Sequence, residues 1–157
     1  MSHQPASEAH FHPSTRAPST LAAVFLGGAL GTLARYALDR ALPTDSGHFP
    51  TATLLINLSG SLLIGLLLPI ALARATTTPL LRPFLVTGLL GGWTTYSALA
   101  TDSTTLFRSG HHLLAAGDLG ATVFGGLALV AVGFYASPAH TFVRFRRAPH
   151  PPEGGPL

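Results

Sequence analysis

The stretch Gly88-Leu89-Leu90-Gly91-Gly92-Trp93-Thr94-Thr95-Tyr96-Ser97-Ala98-Leu99 sets a glycine pair and a Thr-Thr step inside an apolar segment that carries no charge. In lipid, no water satisfies the N–H and C=O groups that a helix break releases. Such a break persists only where the loose backbone is buried in protein or lines a cavity. Unwound carbonyls at membrane depth are natural ligands for a small hard cation such as sodium. Function is expected here, with the break at Gly91-Gly92.

Three further groups bear on that segment. Asn57 lies in the middle of an apolar run, where its amide serves either as interhelical glue or as an N–H₂ donor facing a polar pathway. Arg35 is costly at membrane depth and is either functional or snorkels to the interface from near the end of its run. Ser97, Thr101 and Thr104 or Thr105 recur at helical spacing and form a candidate wet stripe, although single hydroxyls commonly bond back to their own helix. Asp102 and Asp118 read as vestibule or cap charges.

Enzymatic chemistry finds no footing. No Ser-His-acid arrangement, HExxH, CxxC or glycine-rich phosphate loop occurs, so no catalytic residue is assigned. The pair His111-His112 does not present both rings on one helix face. With no cysteine there is no disulfide, thiolate metal site or cysteine nucleophile.

The elements that must position these residues are transmembrane helices. Charged residues make up 10% of the 157-residue chain and apolar residues 47%, against about 25% charged in ordinary soluble domains. All nine basic residues are arginine and form no aromatic-interleaved patch, so nucleic acid is not an expected partner. A spanning helix needs about 20 mostly apolar residues. Four such stretches are predicted: Thr20 to Leu38, Thr51 to Ala73, Arg82 to Arg108 with the break inside it, and His112 to Ala136. They define a transmembrane domain over residues 20–136, flanked by polar tails at 1–19 and 137–157 that read as disordered. Scattered histidines in the first tail, His3, His10 and His12, read as solvated. Arginine placement weakly favours both ends in the cytoplasm. Frequent small residues, among them Gly27, Gly28, Gly31, Gly60, Gly65, Gly125 and Gly126, let helix backbones approach closely in lipid.

Taken together, the motifs resemble the Fluc/CrcB fluoride channel family. Gly27-Gly28-Ala29-Leu30-Gly31-Thr32-Leu33-Ala34-Arg35 is similar to its GGxxGAxxR pattern, with Thr32 in place of Ala. Asn57, Gly60 and Gly65 match its second-helix spacing, with Leu62 where Phe is usual. Gly88, Gly91, Gly92, Thr94, Thr95 and Ser97 match GxxGGxTTFSTF. The resemblance implies an all-α membrane protein whose third helix is broken mid-membrane, assembled as an antiparallel, dual-topology dimer in the plasma membrane. It further implies a fluoride-exporting channel with a structural sodium on the two-fold axis, held by the carbonyls of Gly91 and Thr94 from both copies. The fluoride pathway would then use Asn57, Thr95, Tyr96, Ser97 and Leu99, with Arg35, Gly92 and Asp102 in structural or vestibule roles.

At the family's two ring positions this chain carries Tyr96 and Leu99, and only Tyr96 keeps an aromatic edge to offer an anion. A heterodimer with a related chain that retains the missing ring therefore stands beside a homodimer. Two rivals remain: a small proton-coupled drug antiporter, disfavoured because residues 21–34 hold no acid, and a non-transporting membrane subunit.

Overall fold

The computed structural model describes residues 17–45 and 47–141, and these are helical and connecting segments throughout. Helix α1 spans Ala17–Ala41 and α2 spans Thr51–Ala73. Helix α3 winds with the wider π spacing over Pro83–Leu90 and closes with one turn, Gly91–Trp93. Helix α4 covers Tyr96–Arg108, and α5 covers His112–Ala136 with a π-wound segment at Ala121–Gly125. Three of these, α1, α2 and α5, are long and apolar enough to cross a membrane. The fourth predicted span, Arg82 to Arg108, is divided between α3 and α4. Helix α1 is longer at both ends than predicted, taking in residues 17–19 of the expected tail. Of the second predicted tail, residues 137–141 are described and Ser137 is buried there; the remaining tail residues, with His3, His10 and His12, fall outside the described residues.

Local chemistry sets the helix ends. Pro83 opens α3, where its missing N–H costs nothing and its fixed φ suits the first turn. The end of α4 is a Schellman turn: Gly110, at φ 83°, lets His111 N–H reach Leu106 O at 2.9 Å while its own N–H reaches Phe107 O at 3.2 Å. Pro69 sits buried within α2, whose neighbours make such an interruption tolerable.

Small residues draw the helices into two tight pairs. Helix α1 lies against α3, where a Cβ added at Gly88 would come within 2.7 Å of Val24 O and 3.0 Å of Gly27 Cα. Helix α2 lies against the second half of α5, where a Cβ at Gly65 would sit 2.9 Å from Phe134 N and one at Gly133 the same distance from Leu66 N. Backbones this close gain dispersion contacts that lipid chains cannot match. The outer faces stay apolar and open: Phe25, Leu30, Leu33 and Tyr36 on α1 and Phe124 and Leu127 on α5 are all exposed. Patches of this size suit lipid or a partner helix rather than water.

Candidate functional site

The break falls at Thr94 and Thr95, not at Gly91-Gly92. Gly91 keeps helical angles (φ −65°, ψ −33°), whereas Thr94 (ψ 154°) and Thr95 (φ −145°, ψ 119°) are extended. Gly92 serves close packing: a Cβ there would meet Gly28 O of α1 at 2.5 Å. The Thr-Thr step supplies the break, since β-branched residues favour extended backbone and the Thr95 hydroxyl caps the next helix by accepting Ala98 N–H at 3.1 Å.

Asn57 clamps the released backbone. Its Oδ1 accepts Thr95 N–H at 2.9 Å and its Nδ2 donates to Thr95 O at 3.0 Å, so a side-chain amide from α2 pairs with the peptide groups of one residue. Both partners are buried. The rest of the α2 face holds the same turn. Trp93 Nε1 donates to Ser59 Oγ at 3.0 Å, and the bare Cα of Gly60 leaves room for the Thr94 methyl group.

This clamp has a further effect on the carbonyls. In an unbroken helix, Thr95 N–H would serve Gly91 O and Ala98 N–H would serve Thr94 O. Here the first goes to Asn57 and the second to the Thr95 hydroxyl. The two carbonyls expected to hold sodium are therefore the two whose helical donors are diverted. Neutral hard oxygens of this kind fit a small monovalent cation. Gly91 is exposed, and a Cβ placed on it would meet nothing within 4 Å of this chain.

Beside the clamp lies a cavity of about 300 Å³ lined by Asn57, Ser61, Thr94, Thr95, Tyr96, Leu99 and Thr122, with Ile64. It brings together most of the predicted pathway residues. Ser97 lies apart from it, exposed, with its hydroxyl 3.2 Å from that of Thr95. Tyr96 is 83% exposed and Leu99 5%. Ser61 and Thr122 were not singled out in the sequence, although Ser61 stands four residues beyond Asn57 on the same helical face.

The remaining candidates divide. Arg35 donates from Nε to Gly92 O at 3.1 Å, binding α1 to a carbonyl in the last turn of α3. Asp102 accepts the Thr53 hydroxyl at 2.7 Å and borders a small polar cavity with Thr44, Asp45, His48 and Thr105. The predicted hydroxyl stripe is exposed at Ser97, Thr101, Thr104 and Thr105, while the buried hydroxyl of α4 is Ser103. Asp118 is no surface cap: it is fully buried and accepts from Ser103 at 3.3 Å. No group of three or more His, Cys, Asp or Glu side chains among the described residues could hold a metal ion.

Lipid-length apolar helices packed around a clamped backbone break define a helical membrane protein. The family model for the CrcB-like protein, Camphor Resistance (CrcB), matches residues 22–134. The chain is 44% identical over 116 residues to the fluoride-specific ion channel FluC 2 of Nocardia farcinica, covering 74% of this chain and 83% of that one. It is 45% identical over 114 residues to FluC 2 of Thermobifida fusca (71% and 82%) and 40% identical over 114 residues to FluC of Chlorobium chlorochromatii (73% and 88%). The chain belongs to the CrcB family, a family of ion channels and not of enzymes.

Proposed function

We propose that this chain forms a fluoride-selective channel of the cell membrane that releases fluoride from the cytoplasm and so relieves its toxicity. The observation that carries the reading is the Asn57–Thr95 clamp beside the cavity, in a chain whose relatives bear the name fluoride-specific ion channel. Fluoride is small and strongly hydrated, so a selective path must return hydrogen-bond donors for the water it removes. The second N–H of Asn57, the hydroxyls of Ser61 and Thr122, and the Tyr96 ring edge are the available donors.

The functional unit is an antiparallel dimer in which α3 and α4 together form one span, broken within the membrane. Its support is the exposure of Gly91 and Tyr96 at the break, a surface suited to a second chain. With two copies related by the two-fold axis, Gly91 and Thr94 would contribute four carbonyls to one structural sodium, which neutralises no charge in transit and is not transported. The ion would supply fixed positive charge to hold the two breaks together.

The test is ion efflux from liposomes carrying the purified chain, alone and with a related family member. Fluoride should leave and chloride should be retained. Comparable chloride efflux, or no fluoride efflux from either preparation, overturns the reading.

A further inference from the structure

Helices α4 and α5 meet along a seam that continues beyond the cavity. At the cavity, α4 contributes Leu99 and α5 contributes Thr122. One turn further along the same faces, Ser103 of α4 donates to Asp118 of α5. Two atoms on this seam are buried without a partner: Asp118 Oδ1 and Thr122 Oγ1. Asp118 is fully buried, and among the described residues no cation pairs with it. Unpartnered buried oxygens are costly, so this stretch of the seam favours a species that donates to them, such as water.

We propose that Asp118 controls anion passage through its charge, admitting fluoride as the neutral acid and rejecting it as the carboxylate. The proposal rests on the fluoride-channel reading and adds a residue to it. As an acid, Asp118 carries an O–H that can donate toward the seam, and Thr122 carries another. As a carboxylate it offers only lone pairs and a like charge. One helical turn separates it from Thr122, about 6 Å along the axis. At an effective dielectric of about 20, repulsion over that distance slows anion passage roughly 100-fold. Helix α4, packed on this stretch of α5, carries Asp102, which accepts from Thr53, and Arg108 at its end. Helix α5 itself carries His112 at its start.

The experiment measures fluoride efflux from liposomes across symmetrical pH values, mildly acidic to mildly alkaline, with protein-free liposomes subtracting leak. Wild type should speed up as pH falls. Asp118→Asn, which keeps the shape and removes the charge, should be roughly tenfold or more faster than wild type at the alkaline end and nearly independent of pH. Asp118→Ser should match it, and Asp118→Glu should stay slow. Wild-type flux that does not change with pH overturns the proposal, as does pH dependence retained in folded Asp118→Asn. If neither neutral variant folds, the carboxyl is structural and the proposal fails. Absence of fluoride flux in wild type and every folded variant would instead overturn the fluoride-channel reading.

Discussion

Replacing Asn57 by alanine removes two buried hydrogen bonds at once, the 2.9 Å bond from Thr95 N–H and the 3.0 Å bond to Thr95 O. Each orphaned backbone group costs about 1–3 kcal/mol when no water reaches it. Interhelical bonds measured within membranes are weaker, averaging about 0.6 kcal/mol, which sets the lower end. The loss expected for Asn57→Ala is therefore about 1–6 kcal/mol. Asn57→Asp separates the two bonds. Its carboxylate still accepts Thr95 N–H but sets an oxygen against Thr95 O, so it should be at least as unstable as alanine and should also block fluoride. The assay is reversible unfolding in mixed micelles, followed by circular dichroism, with fluoride efflux measured on the same preparations. If Asn57→Ala loses less than about 0.5 kcal/mol and conducts normally, the clamp does not hold the break.

Two glycines one turn apart should fail differently. Gly88→Val drives a side chain into the α1 backbone, where even a Cβ would be 2.7 Å from Val24 O, and should cost several kcal/mol (about 2–5) in the same unfolding assay. Gly91→Val meets nothing within its own chain, so helicity should persist while fluoride efflux and any sodium-dependent gain in dimer stability are lost; normal efflux with retained sodium dependence would remove Gly91 from the cation site. Leu99 lines the cavity without a ring edge, so Leu99→Phe should raise fluoride efflux from the chain assayed alone. Robust wild-type efflux unchanged by that substitution would dispose of the requirement for a related partner.

The long apolar runs were legible by their length and scarcity of charge, and the ends of α2 and α5 coincide with those drawn from the sequence. The break was placed one turn too early. Gly91-Gly92 looks like a weak point in a helix read in isolation, yet Gly92 is occupied with Gly28 of α1. The true break depends on Asn57, 38 residues away in sequence. Asn57 and Leu99 were visible as candidates, but what joins them to Ser61 and Thr122 is the packing of α2, α4 and α5 around one cavity. Asp118 looked like a cap because it stands only seven residues into α5. Its burial follows from the tight Gly110 turn, which folds α5 back on α4 and brings Ser103 against it.

The pairing of Asn57 with Thr95 also bears on how the chain enters the bilayer during synthesis. The backbone groups freed at Thr95 have no partner within their own segment, so α3 and α4 cannot settle in hydrocarbon as an independent segment. Helix α2 emerges first and carries the amide that completes them. Chain order thus supplies the template before the segment that requires it. A rearranged gene that delivered residues 83–108 to the insertion machinery ahead of residues 51–73 would present a broken helix to lipid with nothing to close it.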